Sequence, residues 1–108
     1  MANTFKSAVA KDVGTSPVSI YTVPAGKTAV LIGITMANTI ATQIAVNAII
    51  SRSGVDYYVV KGALTPTGSA FVWTGGELKT VVMAGDIVKV VSSDATSCDV
   101  ILSYLEIA

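Results

Sequence analysis

The sequence predicts an all-β chain that folds as a single-domain, eight-stranded β-sandwich of jelly-roll type. Runs rich in Val, Ile, Thr and Tyr recur along the chain, and a turn containing glycine interrupts them about every ten residues. Apolar residues alternate within these runs, with the period of two that is typical of strands. Because no segment shows a helical period, short strands at this spacing indicate a sandwich or a barrel.

The first half of the chain begins with a weak strand or arm at residues 4–10 and a turn at residues 12–16. Pro24 and Gly26 end the strand that follows, because proline donates no ladder hydrogen bond and glycine allows the chain to reverse. We expect eight strands after the arm, at residues 17–23, 28–37, 43–52, 55–61, 70–74, 79–83, 87–92 and 98–107.

Residues 1–108 are expected to form one domain, in which residues 1–16 are an N-terminal arm or edge strand. Turns at Ser53-Gly54 and Gly75-Gly76 and a looser loop at residues 62–69 separate the later strands. In a jelly roll, the strands would alternate between two sheets. One sheet would then hold the strands that begin at residues 17, 43, 79 and 98, and the other sheet those that begin at residues 28, 55, 70 and 87. An immunoglobulin-type sandwich is the alternative, although the Cys–Trp–Cys spacing of those domains is absent.

The composition is unusually apolar for a domain of this size. Apolar residues make up 52% of the 108 residues and charged residues only 13%, against about 25% charged residues in ordinary domains. The mean hydropathy is +0.68. A small sandwich cannot hide all of this apolar surface inside, so we expect the chain to pack against copies of itself or against other subunits.

The last expected strand is apolar on both faces. Val100, Leu102 and Tyr104 share one parity and predict the face toward the core. The other face is either covered by the N-terminal arm or used as a subunit contact. The contact residues that we predict are Ile101, Leu105 and Ile107, with Phe5 from the arm.

Few residues could carry catalysis. The chain contains no histidine, which excludes imidazole acid–base chemistry and imidazole metal sites. The single cysteine, Cys98, lies among apolar residues, and we interpret it as a core residue. The carboxylates stand mostly beside turn glycines or serines, where they bind the backbone. We therefore expect no enzymatic activity, no catalytic residues, no metal and no cofactor.

The charges also disfavour nucleic acid and membrane surfaces as partners. Seven Lys and Arg residues balance seven Asp and Glu residues, and the cations are never adjacent. The uncharged stretch at residues 28–50 alternates with a period of two, so it predicts two strands and not a spanning helix. Residues 1–6 show no secretory signal, and we expect synthesis in a reducing cytosol.

Aromatic residues allow one binding hypothesis. Tyr57, Tyr58, Phe71 and Trp73 could form a stacking platform for a sugar or a base. In a carbohydrate-binding module the binding residues would be Tyr57, Tyr58 and Trp73. In a chain with 6% aromatic residues, such side chains more often belong to a core.

Five stretches form a recognisable pattern along nearly the whole chain. They are the start at residues 1–6, Ile20 to Thr28 with its Pro-Ala-Gly-Lys turn, Ile-Gly-Ile at residues 32–34 with Ala-Asn-Thr at residues 37–39, the Ala-Gly-Asp turn within residues 82–87, and the end at residues 103–107. In these stretches the sequence resembles small structural proteins of tailed bacteriophages, notably of marine and cyanobacterial phages. The resemblance implies a non-enzymatic virion component that is present in many copies and carries no transferable binding residues.

Together these observations predict a capsid decoration or cement protein that acts as a homo-oligomer, with a trimer favoured. Its partners would be copies of itself and other virion proteins, such as the major capsid protein. A tail, baseplate, neck or fibre component is the first alternative, and the carbohydrate-binding module is the second.

Overall fold

The computed structural model describes residues 3–74 and 80–107. Within these residues every regular element is a strand, so none of them forms a helix that could span a bilayer. The strands are β1 (Asn3–Val13), β2 (Val18–Thr22), β3 (Thr28–Asn38), β4 (Ile44–Arg52), β5 (Val55–Thr65), β6 (Ala70–Thr74), β7 (Thr80–Val82), β8 (Ile87–Ser92) and β9 (Cys98–Ile107).

The strands form two antiparallel sheets that pack as a sandwich. The five-stranded sheet has the order β1-β9-β3-β6, and β7 pairs with β3 beyond the end of β6. The four-stranded sheet has the order β2-β8-β4-β5. These sheets confirm the predicted all-β sandwich. Early and late strands are interleaved in both sheets, and this order is compatible with a jelly roll.

The predicted division of strands between the sheets is wrong. Strands β4 and β5 were expected in different sheets, yet they form a hairpin in the four-stranded sheet. Ser53 and Gly54 both have positive φ, 53° and 78°, which is the geometry of a two-residue hairpin turn that keeps neighbouring strands together. The predicted arm is itself strand β1 of the five-stranded sheet. The alternation of strands between the two sheets therefore starts at β1 and not at β2.

Two strand ends differ from the prediction by more than one residue. Strand β1 continues past residue 10 into the start of the expected turn and ends at Val13, with a break in register between Ala10 and Val13 where Asp12 has a φ of 55°. Strand β5 continues to Thr65, because the side chain of Asn47 accepts the Gly62 N–H at 2.6 Å where the ladder is irregular. The predicted turn at Gly75-Gly76 lies outside the described residues.

The core lies between the two sheets. Its fully buried side chains come from both, with Val46 and Val90 facing Met36 and Leu102 across the interior. Cys98 is fully buried in this cluster, as predicted, and burial raises the pKa of its thiol to about 11. The alternation in β9 is also confirmed, because Leu102 is buried whereas Ile101 is 52% exposed.

Replacement of a core leucine tests this packing. Leu102→Ala removes a fully buried side chain, and we expect the free energy of unfolding to fall by about 2–5 kcal/mol. The matched control is Leu64→Ala, because Leu64 is 68% exposed on β5, and its change should stay within about 0.5 kcal/mol. Urea unfolding followed by circular dichroism measures both. Equal losses in the two variants would contradict the assigned core.

Candidate interaction surface

The face of the five-stranded sheet that points away from the core, called here the outer face, carries two apolar rows. The first apolar row crosses four strands in direct register. Phe5 on β1 lies opposite Leu105 on β9, Leu105 lies opposite Val30 on β3, and Val30 lies opposite Val81 on β7. Directly opposed residues on neighbouring strands point to the same side, so these four side chains are neighbours on one surface.

The second apolar row runs parallel to the first. Val9 on β1 lies opposite Ile101 on β9, Ile101 lies opposite Thr35 on β3, and Thr35 lies opposite Val72 on β6. Val9 follows Phe5 by four positions along β1, which places the two rows about 14 Å apart.

Small residues lie between the two rows. Ser7 on β1 lies opposite Ser103 on β9, which in turn lies opposite Gly33 on β3. We call this line the serine row. Because its side chains are short and those of the flanking rows are larger, the outer face has two ridges with a shallow channel between them.

The apolar rows are largely open to solvent. Phe5 is 76% exposed, Val9 is 73% exposed and Ile101 is 52% exposed, and Val72 and Val81 are exposed to similar extents. From the strand lengths and spacings, the outer face measures about 35 Å by about 19 Å, or about 700 Å². A stable interface buries about 800 Å² on each partner, so the outer face is close to the size of one subunit contact.

Charged residues lie at one end of the outer face. Asp99 on β9 lies opposite Ala37, beyond the second apolar row, and it forms an ion pair with Lys11 at 3.8 Å. It also accepts the Asp12 N–H at 3.0 Å. A surface with an apolar centre and charged groups at its margin is typical of protein interfaces.

The four predicted contact residues all lie on this outer face. Phe5 and Leu105 belong to the first apolar row and Ile101 to the second, while Ile107 lies one step beyond the first row, opposite Asn3 and Thr28. The alternative that the arm covers the last strand is wrong. Strand β1 pairs edge to edge with β9, so it widens the apolar surface and does not cover it.

Sequence reasoning missed five members of the rows. They are Val9, Val30, Thr35, Val72 and Val81. The signal for Val9 was present, because it has the same parity as Phe5 within one strand. The other members depend on which strands neighbour β9, and strand pairing of this kind is not encoded in a local pattern.

The predicted aromatic platform is not assembled by the two tyrosines. Tyr58 lies opposite Ile49 and Tyr57 opposite Ile50, so the two rings point to opposite sides of β5. The ammonium group of Lys61 lies 4.9 Å from the centre of the Tyr58 ring. Tyr57 instead lines an open pocket with Ile50 and Arg52. The side chain of Trp73 lies outside the described residues.

A buried carboxylate holds β1 in place beside β9. Glu106 is 4% exposed, and its Oε1 accepts hydrogen bonds from Lys6 Nζ at 2.9 Å and from Lys27 Nζ at 3.0 Å. Its Oε2 accepts a hydrogen bond from the Tyr21 hydroxyl at 2.8 Å. The Tyr21 ring stacks on Tyr104 with a centroid separation of 4.0 Å. We call Glu106, Lys6, Lys27 and Tyr21 the Glu106 cluster.

The Glu106 cluster shifts the ionisation of its members. Hydrogen bonds from Lys6, Tyr21 and Lys27 lower the pKa of Glu106 from its ordinary 4.5 to about 2, against the opposing effect of burial. The hydrogen bond and attraction to Glu106 raise the pKa of Lys6. Burial, followed by the hydrogen bond to Glu106, raises the pKa of Tyr21. At neutral pH Glu106 is therefore a carboxylate and Lys6 is protonated.

Another ion pair joins the turn before β8 to the end of β4. The Arg52 Nε lies 2.9 and 3.0 Å from the two carboxylate oxygens of buried Asp86, which also accepts the Met83 N–H at 2.9 Å. The hydrogen bond from Arg52 lowers the pKa of Asp86. Asp86 therefore closes its own turn, as expected for an acidic residue beside Gly85. Residues 3–74 and 80–107 contain no group of three potential metal-ligating side chains.

Comparison with known proteins finds similarity only at the level of solved structures. No family model and no curated protein matches the sequence. Among solved structures, a chain of the T13 IBDV viral particle is similar over 96% of this chain, with 8% sequence identity and a TM-score of 0.43. The present chain spans 30% of the length of that chain.

The Glu106 cluster predicts a specific pH dependence. Because Glu106 has a lower pKa in the folded chain, it stabilises the fold above pH 4.5, and this contribution is lost as the pH falls toward 2. Glu106→Gln should be less stable than the wild type at pH 6, and the two should converge near pH 2. The measurement is the urea midpoint at several pH values between 6 and 2.

The stability of the wild type and of Glu106→Gln should both retain some dependence on pH, because the pKa of Asp86 is lowered as well. Asp56→Asn is the matched control, since Asp56 forms only a surface pair with Lys89 at 3.5 Å. A Glu106→Gln variant whose unfolding has the same pH slope as the wild type would show that the cluster does not contribute to stability.

Proposed function

We propose that this chain is a non-enzymatic structural protein of a virion that works by packing its outer face against neighbouring subunits. The observation that carries the proposal is the pair of apolar rows on the five-stranded sheet. These rows leave Phe5, Val9 and Ile101 more than half exposed in the isolated chain. Each large apolar side chain contributes about 1.5–3 kcal/mol when it is fully buried, and this gain would offset the entropy cost of association through this face.

The size and chemistry of the face support a subunit contact over a ligand site. The face is open and its channel is shallow, whereas small-molecule sites are concave and bury most of their ligand. Its width across β1, β9, β3 and β6 approaches that of a standard protein interface. Exposed patches of this extent on small domains mark interaction sites.

The virion setting rests on the sequence resemblance to structural proteins of tailed phages. A protein of that kind is made in the host cytoplasm and persists in the particle without the help of disulfides. The sole cysteine, Cys98, is fully buried in the core and is therefore consistent with stability that does not depend on oxidation. We propose capsid decoration as the role, in which the outer face adds contact area between capsid subunits. A tail or neck component would use the same face.

A charge placed in the centre of the outer face tests the proposed contact. Ile101→Asp puts a carboxylate between Val9 and Thr35 in the second apolar row. We expect a lower native mass or a loss of soluble protein, because an unpaired charge in a buried contact is costly. Leu64→Asp is the control, since Leu64 is exposed on the other sheet. Sedimentation velocity measures the mass, and an unchanged mass and yield for Ile101→Asp would count against the contact.

The location in the particle tests the role. Mass spectrometry of purified virions should detect the chain, and a particle reconstruction should place it on the capsid at many equivalent positions. Density restricted to the tail or neck would replace decoration with the tail role. Absence of the chain from purified particles would refute the virion function.

A further inference from the structure

The edge of β1 that faces away from β9 can pair with a further strand. From Asn3 to Ala10, β1 pairs with β9 in an unbroken antiparallel register. Within the described residues, no other strand pairs with the opposite edge of this segment, and no backbone hydrogen bond to a loop satisfies it. Every second residue of an edge strand presents an unpaired N–H and C=O outward, and a strand from another chain is the group that satisfies such a row.

The other edge strands are protected by features that β1 lacks over residues 3–10. Strands β2 and β6 have only five residues each, and β7 has three. The long edge strand β5 has breaks in its register near Gly62 and Val59, and irregularities of this kind discourage pairing. Lys6 is the one charged residue between Asn3 and Ala10, and its ammonium group is bound by Glu106 of the same chain.

We propose that β1 pairs antiparallel with β1 of a second copy, about a two-fold axis that passes beside Ser7. The inference deepens the proposed function, on which it rests, by naming a second copy as the partner at the edge of the five-stranded sheet and by giving the register of that contact. The two five-stranded sheets would continue into each other, with both outer faces on the same side.

The sequence of β1 is self-complementary in this register. With Ser7 opposite Ser7 of the second copy, Phe5 lies opposite Val9 and Lys6 lies opposite Ala8. An aromatic residue opposite a β-branched residue is a stabilising cross-strand pair, and the symmetry forms this pair twice. At the ends, Lys11 falls opposite Asn3, so no charge faces a like charge.

Neighbouring registers lose these features. An axis at Lys6 places two ammonium groups directly opposite each other, which is destabilising. An axis at Ala8 places Phe5 opposite Lys11 and separates it from Val9. A shift by a single residue in one strand would turn the inner face of one copy to the side of the other copy's outer face.

The same register joins the rows of the two outer faces. The first apolar row of one copy ends at Phe5, which meets Val9 at the start of the second apolar row of the other copy. The serine rows of the two copies meet where Ser7 lies opposite Ser7. The result is one apolar surface of about twice the area, about 1,400 Å², which the dimer presents to the particle.

The symmetry of this contact sets the number of copies. A two-fold pairing gives a dimer or a larger assembly with an even number of chains, in place of the trimer that the sequence alone favours. A three-fold contact elsewhere on the chain would combine with it to give a hexamer.

Cysteine cross-linking tests the register. Ser7→Cys places two thiols directly opposite each other, within the Cα separation that a disulfide spans, about 4.4–6.8 Å. Under oxidised glutathione we expect a disulfide-linked dimer on a non-reducing gel. Native Cys98 is fully buried, so it does not compete.

Val9→Cys is the matched control, because it lies on the same strand and the same face and is 73% exposed. Its symmetry mate would lie about 13 Å away along the strand, so this variant alone should remain uncross-linked. An equal mixture of Phe5→Cys and Val9→Cys proteins should form the mixed disulfide, because the register places these two positions opposite each other.

The outcomes separate this inference from the proposed function. Failure of Ser7→Cys to cross-link, or equal cross-linking of Val9→Cys alone, would overturn the pairing. A trimeric native mass would overturn the pairing as well, and the proposed function would stand if Ile101→Asp still lowered that mass. A cross-linked Ser7→Cys dimer from a chain that is absent from virions would support the pairing and refute the virion role.

Discussion

The structure depends on the fact that β9 is apolar on both of its faces and lies between two other strands. Val100, Leu102 and Tyr104 point into the sandwich and form part of its only described core. Ile101 and Leu105 point the other way, into a layer that has no covering element in residues 3–74 and 80–107. A sandwich of two sheets has one interior, so a strand of this kind needs a second apolar layer from outside the chain.

The Glu106 cluster connects this constraint to the position of β1. Through Lys6 it fixes β1 to β9, and through Tyr21 it ties both strands to β2 in the opposite sheet. Because β1 is held in register over eight residues, Phe5 and Val9 line up with Leu105 and Ile101. A polar cluster buried at the edge of the sandwich thus supports the apolar surface that the proposed assembly uses.

Local patterns in the sequence were sufficient for the strands but not for their arrangement. The bounds 70–74, 87–92 and 98–107 follow from alternation and glycine turns alone, and the structure has the same bounds. Sheet membership was wrong because it depends on whether a turn reverses within a sheet or crosses between sheets. Between β4 and β5 the positive φ of Ser53 makes the turn reverse within one sheet. Positive φ is uncommon for a residue other than glycine, so the sequence gives no sign of it.

The Glu106 cluster could not be predicted because its members are far apart in the chain. Lys6 and Glu106 are separated by 100 residues, and Tyr21 and Glu106 by 85 residues. A weaker signal was available, since Glu106 has the parity of the inward residues Leu102 and Tyr104. A carboxylate on the core face of a strand requires partners, and the lysines near the expected N-terminal strands were candidates for that role.

The most direct test of the second apolar layer is the native mass of the wild-type chain, measured by light scattering over a wide concentration range. Our account predicts a mass that is a multiple of the chain mass of 11.0 kDa and that persists on dilution. A chain that stays at 11.0 kDa and remains freely soluble at high concentration would show that the outer face can stay exposed to water without a partner. The contact on which the proposed function rests would then be wrong.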